Sequence, residues 1–301
     1  MYNILSVFVG MVIAVMIAIN GQLTTFHGIF IAAVVIHIVG SLFAYVVMKI
    51  TKQNLQLNKH LPLWFYLGGA LGVITTYCNN YAFGKISLTS IIALVLLGQT
   101  IASLFIDSFG FFGMKKYPFQ KYSLIGLSLA AAGMISMLDA PNLGSFLAVS
   151  LSFIAGIFIV LSRTCNARLA EEIGILAGSL INHLVGLPLC ILLLLIFQGN
   201  PMGANFTLSS SPWIYFGGVF GVVTVLLFNL LVPKVAAFPL TLLSFVGQLF
   251  TSMVLDLILL HTYDASTFLA GLFIASGLGI NMFLEHKYKQ QGFKKSQVIQ
   301  K

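Results

Sequence analysis

The sequence predicts an all-α membrane protein of ten transmembrane helices, arranged as two five-helix repeats of inverted topology, with N-terminus and C-terminus both cytoplasmic. Three observations lead there. Only 7% of the 301 residues are charged, against about a quarter in a soluble domain, and the mean hydropathy is +1.02. Polar residues recur at a fixed offset between the two halves. Basic residues crowd into alternate connections between apolar runs.

A helix that crosses hydrocarbon needs roughly 17–25 mostly apolar residues, because its backbone polar groups must be satisfied within the segment. Ten runs meet that length: 4–23, 29–49, 62–83, 87–106, 119–138, 144–164, 174–197, 212–232, 235–258 and 266–284. Polar or helix-ending residues mark the gaps, as in Lys52-Gln53-Asn54 and Gly199-Asn200-Pro201. The first five runs form one repeat over 1–140 and the next five a second over 141–286, while 287–301 reads as a basic cytoplasmic tail. No basic stretch precedes the first run and no small-residue cleavage site follows it, so it is expected to stay as a helix. Pro188 predicts a kink in the seventh run.

With the N-terminus inside, 14 of the 15 basic residues fall in cytoplasmic connections or the tail, among them Lys49, Lys52, Lys59, Arg163 and Arg168, and only Lys85 falls outside. That asymmetry sets the orientation. The net charge of +8 is therefore read as an orientation signal and an attraction to anionic lipid, not as a nucleic-acid footprint.

A shift of 149 lays 64–107 on 213–256 without a gap and matches 14 of 44 residues, including Trp64/Trp213, Gly98/Gly247 and Gln99/Gln248. A shift of 146 aligns the earlier helices through Gly10/Gly156, Asn20/Asn166, His37/His183 and Gly40/Gly186. Coincidence between apolar stretches would match Leu and Val, not Gln, His, Asn and Asp. Five helices are an odd number, so the second copy enters the membrane upside down. The connections agree: Lys49, Lys52 and Lys59 follow the second run, whereas the matching segment, 198–211, carries no charge. Two similar halves of opposite insertion can exchange conformations and open a shared cavity to either face in turn, which favours transport.

Polar side chains at membrane depth are costly and need a reason. Gln99, Ser103 and Asp107 share one helix face, and Gln248, Ser252 and Asp256 repeat the stripe. Either these residues line a pathway, with the aspartates as coupling sites, or they tie helices together. His37 and His183, near the middle of their runs, are candidates for substrate or proton binding or are bonded core residues; histidine titrates near neutral pH. Asn20, Asn166, Asn80 and Asn229 sit nearer run ends, where helix capping is the ordinary use. Lys85 is a pathway-mouth charge or a snorkelling residue. Gly68-x-x-x-Gly72 and Gly217-x-x-x-Gly221 have the spacing of closely packed helices.

Asn20-Gly21-Gln22-Leu23 and the run Gly98-Gln99-x-x-x-Ser103-x-x-x-Asp107-x-Phe109-Gly110-x-x-Gly113 resemble motifs of the YdcZ-like family, bacterial inner-membrane exporters of the drug/metabolite transporter superfamily. The second copy keeps Gly247, Gln248, Ser252 and Asp256 but reads Leu257-Ile258-Leu259-Leu260-His261 where the first has its Phe-Gly continuation. The resemblance implies an inner-membrane exporter built from two fused copies, a pseudo-dimer within one chain.

No Walker motif is present, and no nucleophile–base pair or clustered metal ligands lie at membrane depth, so the expectation is a secondary transporter with no cofactor, no metal and no enzymatic activity. Cys78, Cys165 and Cys190 lack the spacing of a metal site and read as small packing residues. Small multidrug exporters of the same superfamily use a glutamate in the first helix; its absence here points to a neutral or weakly polar metabolite. A membrane binder or sensor that moves nothing is the alternative class.

Overall fold

The computed structural model describes residues 1–53, 55, 61–114, 116, 128–129, 132, 143–198, 207–260, 269, 272–273, 276–277 and 279–280. The fifth and tenth expected runs and the basic tail lie largely or wholly outside these residues. Within them the chain forms eight principal helices: α1 (Tyr2–His27), α2 (Ile29–Ile50), α3 (Leu67–Ala82), α4 (Leu88–Phe109), α5 (Leu143–Ile173), α6 (Ile175–Gln198), α7 (Gly217–Leu231) and α8 (Ala237–Leu255). Seven helices are long and apolar enough to cross a membrane, α7 qualifying together with the 3-10 turn Pro212–Phe216. The eighth, α3, has 16 residues and is likewise preceded by a short 3-10 turn, Leu63–Tyr66. Large apolar side chains such as Leu42, Ile196 and Phe197 are exposed and cover the outer faces, as lipid contact requires.

Two helices run further than hydropathy predicts. The first continues through Thr24 and Thr25, whose hydroxyls donate to the carbonyls of Asn20 and Gly21, and ends only at Gly28 (φ 81°). The sixth run, expected to stop at 164, continues to Ile173 and ends at Gly174 (φ 95°). Both glycines take backbone angles that disfavour a side chain, and they sit 146 residues apart, at the same point of each repeat. Arg163 and Arg168 are therefore helical residues of α5, not members of a cytoplasmic loop. The seventh run keeps its helix through Pro188.

The repeats interlock. α1 packs against α7 and α8, and α5 packs in the same way against α3 and α4; α2 meets α6, and α4 meets α8. The principal helix pairs all join one repeat to the other. Their residues reciprocate: a methyl group on Gly10 would overlap the carbonyl oxygen of Ser244, and one on Gly156 would overlap that of Val95, its repeat counterpart. Likewise Gly98 closes on Phe153 and Gly247 on Val7. A contact of this kind, residue i on j and j on i, is the mark of a two-fold interface. Here both partners lie in one chain.

Candidate functional site

The polar stripes lie in these seams. Both oxygens of Asp107 accept backbone N–H groups at the start of α8, from Ala237 (3.2 Å) and Phe238 (2.9 Å). Asp256 does the same for α4, accepting from Leu88 (3.0 Å), Thr89 (2.9 Å) and the Thr89 hydroxyl (2.6 Å). Each carboxylate thus supplies from the opposite repeat the negative charge that a helix N-terminus favours. Ser103 pairs with the Thr241 hydroxyl at 2.9 Å, and Ser252 lies 3.3 Å from that of Thr89. Where a pathway wall was one expectation, Gln99, Gln248, Ser103, Ser252, Asp107 and Asp256 stand outside the cavity described below, and all but Gln248 make polar contacts across the seams. The stripe on α4 faces α5 and α8 because those helices offer its side chains polar partners.

A cavity of about 120 Å³ lies instead between α1, α2 and α3 of the first repeat and α5, α6 and α7 of the second. A water needs roughly 10–15 Å³ of such space, so a small molecule fits. Six of its polar lining residues form repeat pairs, Asn20/Asn166, His37/His183 and Thr75/Thr224. The imidazoles meet edge to face with ring centres 5.6 Å apart. Each also lies over a glycine of the opposing second helix, His183 against Gly40 and His37 against Gly186, where a methyl group would collide with the ring. His37 Nδ1 is 2.9 Å from the Ala33 carbonyl oxygen and 3.4 Å from the thiol of Cys190. His183 differs: it is 4% exposed, and neither ring nitrogen has a hydrogen-bond partner among the described residues.

The asparagines are not helix caps. Asn166 sits inside α5 and donates to Asn182 Oδ1 at 2.7 Å across the cavity wall. Asn20 sits against Gly217 and Asn166 against Gly68, so the paired glycine motifs provide clearance for side chains from the opposite repeat as well as close helix packing. Asn229 donates to the Ile175 carbonyl, which fixes its amide, and its Oδ1 is left unpartnered among the described residues at the cavity edge. Asn80 is buried off the cavity. Lys85 lies at the α3–α4 turn, donating to the Tyr81 carbonyl at 2.9 Å and standing over that ring at 3.4 Å.

The residue that sequence reasoning misplaced is Arg163. It is 3% exposed, lines the cavity, and donates to Gln99 Oε1 (3.3 Å), Thr241 Oγ1 (2.6 Å), Ser103 Oγ (3.2 Å) and the Ala237 carbonyl (3.1 Å). A signal was present: the shift of 146 sets Arg163 on Ile17, well inside the first helix. Arg168, one turn on, donates to the carbonyls of Phe112 and Gly113 and pairs with Glu171 at 2.6 Å. It thereby holds the left-handed turn of the Phe109-Gly110-x-x-Gly113 motif, in which Gly110, Phe112 and Gly113 all have positive φ. Repeat one has Gln22 at the position of Arg168, and repeat two lacks that motif, so clamp and turn are absent together.

Fold and site together define a multi-pass, all-α membrane protein with a cavity, lined by both polar and apolar side chains, between two interlocked repeats. The chain belongs to the DMT_YdcZ family, described as "Putative inner membrane exporter, YdcZ", whose profile matches residues 1–136 and again 147–280. It is accordingly a multi-pass protein of the inner membrane with a role in transport. A solved crystal structure shares the fold with a TM-score of 0.65 at 13% identity, the match covering 94% of this chain and 97% of the other. No curated protein matches the chain in sequence.

Proposed function

We propose that this chain is an alternating-access secondary exporter of a small molecule, working as a single chain. It has ten transmembrane helices in two inverted repeats, 1–140 and 141–286, with both termini and the tail 287–301 cytoplasmic. The cavity between the repeats is the substrate site. Asn20, Asn166, Asn229, His37 and His183 contact the substrate, while the glutamine, serine and aspartate stripes hold the seams about which the repeats rearrange. The observation that carries this reading is His183, a buried imidazole without a hydrogen-bond partner among the described residues, in a cavity that both repeats build. An unpaired polar group in a dry interior costs about 1–3 kcal/mol, so one kept at the centre of a transporter fold points to a ligand.

Proteoliposomes loaded with a bacterial metabolite extract, with efflux followed by mass spectrometry, test it. The wild-type protein should release a subset of compounds, and His183→Ala should slow that release at least tenfold while the thermal midpoint changes little. Protein-dependent efflux that His183→Ala leaves untouched would remove the cavity from the mechanism.

The inverted topology has its own test. Single cysteines at Lys52 and Ser209, positions that follow equivalent helices of the two repeats, should react with an impermeant maleimide from opposite faces. Reaction of both from one face would refute the inversion; the native cysteines Cys78, Cys165 and Cys190 are buried and should stay silent.

A further inference from the structure

We propose that the cavity selects a small organic monoanion, its carboxylate held beside Arg163 and His183 and its hydrocarbon part set against the apolar lining residues Met16, Ile36, Val225 and Phe228. The inference rests on the transport reading above and adds the charge class of the substrate.

The repeat supplies an internal control. Repeat one builds the same seam with Ile17 where repeat two has Arg163, and Gln248 there has an unpartnered Oε1 among the described residues, whereas Gln99 accepts from the guanidinium. The α1–α8 seam therefore forms without a cation, and the fold does not need one at this position. A buried guanidinium at membrane depth is costly, so its presence in one repeat alone calls for a functional reason. Asp107, at the α8 N-terminus, interacts electrostatically with Arg163 from outside the cavity wall and offsets its charge from behind. Arg163 is part of the cavity lining, and its guanidinium carbon lies 5.3 Å from the ring centre of Phe228, another lining residue. Among the described residues its Nε makes no hydrogen bond and its Nη1 makes only the one to Gln99, so donors remain for a ligand.

Among the described residues no aspartate or glutamate lines this cavity, so a cationic substrate would meet a positive wall with nothing to offset its charge. His183 adds an unpartnered ring on the same repeat. The two walls also differ in polarity: Ser162, Arg163 and Asn182 of repeat two stand where repeat one has Met16, Ile17 and Ile36. A lining that joins Arg163 to apolar side chains such as Met16, Ile36, Val225 and Phe228 fits a short carboxylate with a hydrocarbon end. The sequence expectation of a neutral or weakly polar metabolite rested on the missing first-helix glutamate and did not count Arg163 among the lining residues.

The test uses the purified full-length chain and matched triads that share a carbon skeleton: isobutyrate, isobutyramide and isobutylamine, and the equivalent sets from propionate to hexanoate. Each is added at millimolar concentration while the thermal midpoint is followed. At least one carboxylate should raise the midpoint, and its amide and amine should not. Arg163→Ile, which installs the residue of repeat one, should elute as a folded species and bind that carboxylate roughly tenfold to a hundredfold more weakly. Arg163→Lys keeps the charge without the planar fork and should retain part of the affinity. Stabilisation by amides or amines as strong as by carboxylates overturns the proposal, as does the absence of any carboxylate response. An amide or amine hit would leave the transport reading standing, whereas carboxylate binding without carboxylate flux would reject transport and leave the charge preference intact. Should Arg163→Ile fail to fold, the charge preference of the wild type and the Arg163→Lys affinity decide the matter.

Discussion

Alanine at Gly156 is expected to destabilise the protein by about 1–3 kcal/mol or more, through a single added methyl group. The helices α4 and α5 cross with backbone against backbone: a methyl on Gly156 would overlap the Val95 carbonyl oxygen and lie 2.8 Å from the Gln99 nitrogen. The obstructing atoms are main chain, so relief requires one helix to move away from the other along the seam that also carries Gln99, Ser103 and Arg163. The reciprocal seam makes the same prediction for Gly10, which meets Ser244 and Gln248. Gly279, where an added methyl would meet nothing within 4 Å among the described residues, is the control and should tolerate alanine. Pairwise combinations sharpen the test. A methyl on Gly98 would lie 3.1 Å from the Gly156 Cα, so Gly98→Ala and Gly156→Ala share one seam and should cost less together than their sum. Gly10→Ala and Gly156→Ala act in separate seams and should add. Thermal midpoints in one detergent measure all of these. Equal midpoints for Gly156→Ala and Gly279→Ala would show that the helices do not cross this closely.

The second large effect is expected at the paired aspartates, and it should be unequal. Asp256→Ala removes the acceptor for two backbone N–H groups and a hydroxyl at the start of α4, a loss of about 1–3 kcal/mol. Asp107→Ala removes the equivalent acceptor at α8 and also leaves the Arg163 charge without its nearby counter-charge, which raises the cost toward about 3–5 kcal/mol. The double substitution Asp107→Ala with Arg163→Ile should recover part of that difference. Neither aspartate lines the cavity, so Asp256→Asn should leave the pH profile of flux unchanged per folded molecule. A profile displaced by Asp256→Asn would assign it a coupling role that its hydrogen bonds do not suggest. Equal costs at the two positions would mean that Arg163 does not draw on Asp107.

Much of the site's raw material is visible in the sequence. His37/His183 and Asn20/Asn166 emerge from the repeat alone, and all four line the cavity. Gln99 and Gln248 emerge by the same argument and do not line it. An offset identifies equivalent positions; it does not say whether an equivalent pair faces a void or a neighbouring helix. The stripe on α4 and the imidazole on α2 look alike as intramembrane polar residues, and only the packing of α4 against α5 and α8 separates them. Arg163 shows the converse. Hydropathy ended its helix early because a charge follows the apolar run, yet the partners that let the helix continue, Gln99, Ser103 and Thr241, come from helices remote in the chain.

Composition, run length and the internal repeat suffice to indicate that the chain enters a membrane as helices and carries two related halves, and the motifs around Asn20 and Gln99 carry the resemblance to its family. These are properties of local hydrophobicity and of matched residues, and they need no contact to be known. Folding settles a different set of questions: the halves interlock instead of standing side by side, the aspartates anchor opposing helix ends, and one buried arginine joins the cavity lining. Each of those depends on pairs remote in the chain, whose meeting is set by how small residues let backbones approach and by which buried polar groups find partners.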